Sequence, residues 1–359
     1  MSQGGPGPAT IYAVAERAGV SIATVSRVLH DATGVTAATR ERVLEAARSL
    51  DYLPFGSARA LAAKKHEALG LMVPELTGPY FAELLIGFES AASELGLSVA
   101  LVMTDRAGLS RPLRQLAARV DGLAVMARPD QLAAEEVESL SRRVPLVLVA
   151  SGTHAFAIGT ENTSTAQELT AHLFTAHGRR GLVFVGDPDL APDAGERFAG
   201  FTAAHTAAGM VAAEPIRVGF SEADGRRVAA NLLSDRTAWP DGLVCVNDEV
   251  AVAVIDELER AGVSLPDELA ITGWDDVMTA RYTRPRLTTG TQPVRDLGRL
   301  AAVTLTRIIA DGTPAAGPSI LPTRIVLRGS CGCPDASQPQ SKDPGESPTG
   351  GAGRIKEEE

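Results

Sequence analysis

Between Tyr12 and Leu29 the chain reads YAVAERAGVSIATVSRVL, and its polar residues are of types that can address a nucleic acid. On a helix over Ile22–Leu29, Val25, Val28 and Leu29 share one face, which leaves Ile22, Ala23, Ser26 and Arg27 on the other. A guanidinium such as that of Arg27 can donate two hydrogen bonds to guanine O6 and N7, and Ile22 and Ala23 can touch thymine methyls. Tyr12, Ser21, Thr24 and Ser26 carry hydroxyls that can reach phosphates. Gly19 can take the left-handed conformation of a tight turn, Ser21 can cap the second helix, and Ala15 and Ala18 let two helices cross closely. The run therefore fits a helix-turn-helix whose second helix enters the major groove. A helical hairpin packed on another protein would use the same spacing.

Further along, polar residues collect where apolar runs end. Asn247 and Asp248 follow GLVCV, and Asp275 and Asp276 follow LAITG. Carboxylates at the carboxyl ends of strands can accept two hydrogen bonds from adjacent hydroxyls, which is the chemistry of polyol recognition. The same positions can instead cap the following helix, which is the expectation for Asp248 and for Asp276.

Two kinds of periodicity must position these residues. The first 65 residues have helical spacing, over Ile11–Ala18, Ile22–Leu29 and Ala37–Leu50, with no strand signal. From Ala68 onward short apolar runs (LGLMV, SVALVM, GLAVM, PLVLVA, GLVFVG, GLVCV, LAITG, RIVLR) alternate with amphipathic segments, the layout of parallel sheets with crossover helices. About 260 residues of such units exceed one sheet, so two doubly wound subdomains with a cleft between them are expected. The chain has 359 residues, 45% apolar and 22% charged, as in globular proteins. Its charge is divided: residues 1–65 carry +3 while the whole chain carries −10, so a basic head precedes an acidic body. No apolar run is long enough to span a membrane, and MSQGGPGPAT lacks the layout of a secretory signal, so a cytoplasmic location without membrane contact is expected. Cys245, Cys331 and Cys333 are too few for a disulfide framework, and the sequence around Cys331-Gly332-Cys333 offers no companion ligands for zinc; ordinary thiols, no metal and no cofactor are expected. Phosphate-binding glycine loops, HExxH and GxSxG are absent from the sequence, which argues against an enzyme.

Three stretches, YAVAERAGVSIATVSRVL, VTAATRERVLEAARSLDYLP and ARALAAKK, resemble in order and spacing the LacI family of bacterial transcription regulators. The resemblance runs from residue 9 to about 330. It implies an all-α, lambda-repressor-like helix-turn-helix headpiece (residues 9–54), a hinge helix or linker (55–66) and an α/β core similar to periplasmic binding proteins (67–330). The core would divide into an N-subdomain (about 67–162 and 293–320) and a C-subdomain (about 163–292 and 321–330). Residues 1–8 and 331–359 are expected to be disordered. The segment Ser57–Lys64 is helix-prone but too short to persist alone in water. In the family such helices pair in the minor groove and lever it open with a leucine, which falls on Leu61, with Ala58 on the same segment; such a wedge is repaid by contacts to bent DNA. Two departures stand out: Phe55-Gly56 replaces a polar pair, and His30 occupies a DNA-contacting position that is commonly Asn.

The resemblance also marks a pocket. Tyr80 and Phe81 match an aromatic pair that lines the family's effector site, and aromatic faces stack on sugars or purines. Arg197 in DAGERFAGF matches an effector-binding arginine, whose fork can hold two ligand oxygens at once. Asn247 and Asp275 complete the set. Ala150 stands where relatives often have an Asp, Glu161-Asn162 where Asp-Asn is frequent, and Asp193 can compensate. The resemblance thus implies a transcriptional repressor binding a palindromic operator in double-stranded DNA as a homodimer, controlled allosterically by a small molecule, with a sugar favoured. The competing reading is a soluble sugar-binding or transport component with an unrelated helical head.

Overall fold

The structure, a computed structural model, describes residues 10–29, 34–52, 65–74, 76–103, 110–127, 133–150, 157–312 and 317–334. His30, the expected hinge helix with Ala58 and Leu61, residues 1–8 and the tail beyond residue 334 lie outside the described residues. The chain divides into two compact units at Glu67.

The first unit contains α1 (Ile11–Ala18), α2 (Ile22–Leu29) and α3 (Ala37–Ser49). Thr10 caps α1 by accepting from the Ala13 N–H, and Gly19 ends it at φ 63°, a left-handed conformation that costs glycine nothing. Thr36 caps α3 in the same way as Thr10 caps α1. The buried core is built from valine and alanine alone: Val14, Ala15, Ala18, Val25, Val28, Val43, Ala46 and Ala47. Small side chains at the crossing let three short helices reach contact distance, and each buried valine contributes roughly 1.5–3 kcal/mol.

The second unit begins with β1 (Ala68–Val73), α4 (Gly78–Glu94), β2 (Ser98–Met103), α5 (Ser110–Ala117), β3 (Gly122–Val125), α6 (Ala134–Ser141), β4 (Leu146–Val149) and β5 (Ala157–Thr160). It continues with α7 (Thr163–His177), β6 (Leu182–Val185), α8 (Pro192–Ala207), α9 (Glu222–Ser234), β7 (Gly242–Cys245), α10 (Asp248–Arg260), β8 (Ala270–Asp275) and β9 (Thr288–Thr291). It closes with α11 (Val294–Asp311), β10 (Ser319–Leu321) and β11 (Arg324–Val326). One sheet has the order β10-β5-β4-β3-β1-β2 and is parallel throughout; the other has the order β11-β9-β8-β7-β6, with only β11 antiparallel. β1, β3 and β4 are buried along their whole length, as expected of strands covered by helices on both faces.

The chain passes between the sheets three times, after β5, after β9 and after β10. Side chains tie these crossings together: the Thr160 hydroxyl donates to Gln292 Oε1 at 2.7 Å, and the Thr323 hydroxyl donates to the Glu161 carbonyl at 2.6 Å.

Helices α4 and α11 meet through glycines. A Cβ on Gly87 would lie 1.9 Å from the Arg295 carbonyl oxygen, and one on Gly298 would lie 2.1 Å from that of Leu84. Backbone cannot yield as a flexible side chain can. Gly87→Ala should therefore lower the unfolding free energy by about 1–3 kcal/mol, measurable by urea denaturation; an unchanged midpoint would mean that the helices part freely.

One boundary differs from expectation. Residues 331–334 are not tail: Cys331 is fully buried and Cys333 packs against the core of the β6–β9 sheet. Composition after Pro334 dominates the sequence signal and hides the two thiols that still belong to the core.

Candidate functional site

In the first unit, Ser21, Ile22, Ala23 and Arg27 are exposed, while Thr24 and Ser26 are half-buried. The Ser21 hydroxyl accepts from the Thr24 N–H at 3.2 Å and lies 2.9 Å from the Thr24 hydroxyl, so these two residues fix the start of α2. Ile22 leaves 40% of its surface in solvent and Tyr12 leaves 69%. Two large apolar side chains held out of a core made of valine and alanine form a surface suited to a partner. Arg27 has no ion-pair partner among the described residues.

In the second unit a cavity of about 140 Å³ lies beyond the carboxyl ends of the strands, the usual place for a ligand in open α/β sheets. Tyr80 and Phe81, Asp193, Arg197, Asn247 and Asp275 all line it. The two aromatic residues sit in the first turn of α4 with their rings edge to face, centroids 5.4 Å apart. The Tyr80 hydroxyl is buried with no hydrogen-bond partner among the described residues. A buried donor left open inside a cavity favours a ligand that supplies an acceptor.

Arg197 is 4% exposed and held on several sides. Its Nε donates to Asn162 Oδ1 at 2.9 Å and its Nη1 to the Val246 carbonyl at 2.7 Å. Its Nη2 reaches Asp193 Oδ2 at 3.5 Å, one turn back on α8, and its guanidinium lies 4.9 Å from the centre of the Trp274 ring. Such fixing removes the flexibility of the long side chain before any ligand arrives. Asp275, at the end of β8, has φ 116°, a conformation non-glycine residues rarely hold, and its Oδ1 accepts from Gln292 Nε2. Burial pushes the Asp275 carboxyl up to about 7 against the opposing pull of Arg197, and the Asp193 carboxyl up to about 6 in the same way. Tyr80 is raised well above its ordinary value, first by burial and then by the charges of Asp193 and Asp275.

The expected helix caps need correction. Asn247, not Asp248, caps α10, its Oδ1 accepting from the Val250 N–H at 3.0 Å while its Nδ2 donates to the Phe220 carbonyl at 2.8 Å. Asp248 is fully buried and faces the sheet, accepting from the Thr289 hydroxyl at 2.7 Å and the Val277 N–H at 2.9 Å. Asp276 pairs with Arg328 at 2.5 Å and Arg281 at 3.2 Å. Capping chemistry allows either of two adjacent residues, and the turn geometry at Asn247 decides between them. Glu161 does cap a helix, accepting from the Ser164 and Thr165 N–H groups at the start of α7.

Glu249, Phe220 and Leu190 also line the cavity, and Gln292 and Trp274 brace its polar wall, although none of the five is marked by its sequence context. Glu249 looks like an ordinary first-turn acid of α10. Its packing shows otherwise: a Cβ on Gly78 would lie 1.6 Å from Glu249 Oε1, so this carboxylate reaches across the cleft to the start of α4. Ala150 lines the cavity at φ 57° and contributes no charge, which leaves its polar chemistry to Asp193, Arg197, Glu249 and Asp275.

Residues 10–54 match the family described as bacterial regulatory proteins, lacI family, and residues 171–331 match the periplasmic binding protein-like domain. Catabolite control protein A of Priestia megaterium is 31% identical over 329 residues, which cover 89% of this chain and 98% of that protein. The lac repressor dimer, solved bound to operator and the anti-inducer ONPF, is 26% identical with a TM-score of 0.79, covering 90% of this chain and 99% of that one. The transcriptional regulator CelR in complex with cellobiose is 26% identical with a TM-score of 0.65 at the same coverage. The match over residues 10–54 removes the reading of the head as an unrelated helical appendage on a transport component.

Proposed function

This chain belongs to the lacI family of bacterial regulatory proteins, and from that premise we propose that it is a cytoplasmic repressor, acting as a homodimer on a palindromic operator and released or engaged by a small polyol, a sugar in the first instance. Among the described residues no helix is long and apolar enough to cross a membrane. The α2 face reads the major groove, with Arg27, Ile22 and Ala23 toward bases, while Thr24 and Ser26 on α2, Ser21 just before it and Tyr12 on α1 reach phosphates. The cavity residues bind and orient a ligand; no reaction is assigned to them.

The observation that carries the reading is the wiring of the cavity. Asp275 accepts from Gln292 Nε2, and Gln292 Oε1 accepts from the Thr160 hydroxyl at 2.7 Å, so one carboxylate in the cavity is bonded through a single amide to two of the three crossings between the sheets. A ligand hydroxyl that takes over Asp275 changes the hydrogen bonds at the place where the two halves must bend. Only a difference in ligand affinity between the open and closed arrangements moves the equilibrium, and a tenfold change in operator binding needs about 1.4 kcal/mol of it.

Operator binding measured against salt tests the first half. The affinity should fall steeply with salt, and Arg27→Ala should cost about 1–3 kcal/mol at one operator position while leaving ligand affinity alone. Binding that ignores salt, or a variant that loses random and operator DNA equally, would remove α2 from the groove.

A further inference from the structure

Four side chains that are far apart in sequence converge beneath the β6–β9 sheet. His172 and His177 lie on the last turns of α7; Cys331 and Cys333 flank Gly332 just after β11. Their ligating atoms all lie within 4.8 Å of one another. The closest approaches are short: 3.1 Å between the two Nε2 atoms, 3.6 Å and 3.4 Å from His172 Nε2 to the sulfurs of Cys331 and Cys333, and 3.4 Å from His177 Nε2 to Cys333 Sγ. A tetrahedral zinc ion with Zn–S of about 2.3 Å and Zn–N of about 2.0–2.1 Å requires edges of about 3.3–3.8 Å. The expectation that the Cys-Gly-Cys run lacks companion ligands therefore fails, because the fold supplies them from α7.

We propose that these four residues form a structural zinc site, closed by two thiolates and two neutral imidazoles. Zinc binding releases two thiol protons, and the +2 ion with two thiolates leaves the site without net charge, which suits a position where Cys331 is fully buried. The backbone is shaped for it. Gly332 has φ 108°, which turns the chain so that both thiols face α7, and a Cβ there would lie 2.9 Å from His177 Nδ1. The Thr288 hydroxyl stands 2.9 Å from the Arg328 carbonyl and 3.1 Å from Cys331 Sγ, so its single proton, given to the carbonyl without metal, can turn to the thiolate once zinc binds. All four positions are filled by protein, so the ion has no open coordination site for catalysis. Its role is to fasten the last segment of the core to α7, the first helix after the crossing from β5.

The test uses the full chain, reduced and stripped of metal, titrated with cobalt(II) as a spectroscopic stand-in and then with zinc. The expected result is one cobalt per chain with the intense visible absorption of a tetrahedral site and a sulfur-to-metal charge-transfer band, both lost when one equivalent of zinc is added. Cys333→Ser and His177→Ala should abolish the tetrahedral spectrum, whereas Cys245→Ser, at a buried thiol outside the cluster, should keep it. Should a variant fail to fold, alkylation of the unmodified protein decides: zinc should protect Cys333, and a chelator should expose it. An octahedral spectrum, less than about a tenth of an equivalent of bound metal, or a Cys331–Cys333 disulfide that persists after treatment with excess thiol reductant would each overturn the proposal.

Discussion

Replacing Arg197 by alanine is expected to destabilise the core by about 3–5 kcal/mol at pH 7.5, and to abolish any ligand response. The guanidinium is buried with Asn162, the Val246 carbonyl and Asp193 as partners, and it offsets the burial of the Asp275 carboxylate. Creating such an arrangement is not cheap in desolvation. Removing its cation is worse, since two half-buried carboxylates then share the cavity wall with no counter-charge. At roughly 2–4 °C per kcal/mol in a domain of this size, the unfolding midpoint should drop by about 10 °C. The deficit should shrink at pH 5, where Asp193 and Asp275 can take protons and the uncompensated charge disappears. Arg197→Lys should recover part of the stability but not the ligand response, because an ammonium lacks the planar fork. Equal midpoints for wild type and Arg197→Ala at pH 7.5 would show that the guanidinium does not hold this wall.

Ligand affinity is expected to rise about a hundredfold between pH 5 and pH 8. Polyol hydroxyls donate to ionised carboxylates, and Asp275, raised to about 7, is almost wholly protonated at pH 5 and mostly ionised at pH 8. Asp193, at about 6, adds to the slope at its acidic end. The same shifts act on folding with the opposite sign. Both carboxyls bind protons more tightly folded than unfolded, so their contribution favours the native state most below the ordinary carboxylate range and is lost as pH climbs toward 7. The apo core should thus be least comfortable at the pH where it binds best, and a ligand recovers that loss. Calorimetric titration of a responsive sugar across this range reads the slope directly. Asp275→Asn should flatten it between pH 6 and 8; a wild-type profile that is already flat would take Asp275 out of the ligand's reach.

The strands with long apolar runs, such as LGLMV and GLVCV, are legible in the sequence because a parallel strand covered on both faces must be apolar throughout. β5, β9 and β10 are not. All three are short, β5 and β9 carry Thr and Gly where an apolar run would be expected, and in β9 the buried hydroxyls of Thr288 and Thr289 are satisfied by the Arg328 carbonyl and the Asp248 carboxylate, partners distant in sequence. The same division separates the site residues. Tyr80, Asp193, Arg197, Asn247 and Asp275 follow apolar runs or match a family segment, so the sequence brings them near one another, and all line the cavity. Gln292 and Trp274 act by bracing those residues, and nothing in their local sequence distinguishes them. The histidines of α7 are the clearest case: a separation of more than 150 residues from Cys331 and Cys333 is closed by topology alone, and no spacing rule spans it.

The three crossings between the sheets, laced to one another by Thr160, Gln292 and Thr323, restrict how the halves can move. Two bodies joined by one strand can swivel about any axis; three adjacent ties leave a single rocking direction. Chemically different occupants can then alter how far the halves travel, yet never along which path. Selectivity for the occupant can drift by substitutions in the cavity wall while the mechanical output stays the same, so recognition and response are free to change independently.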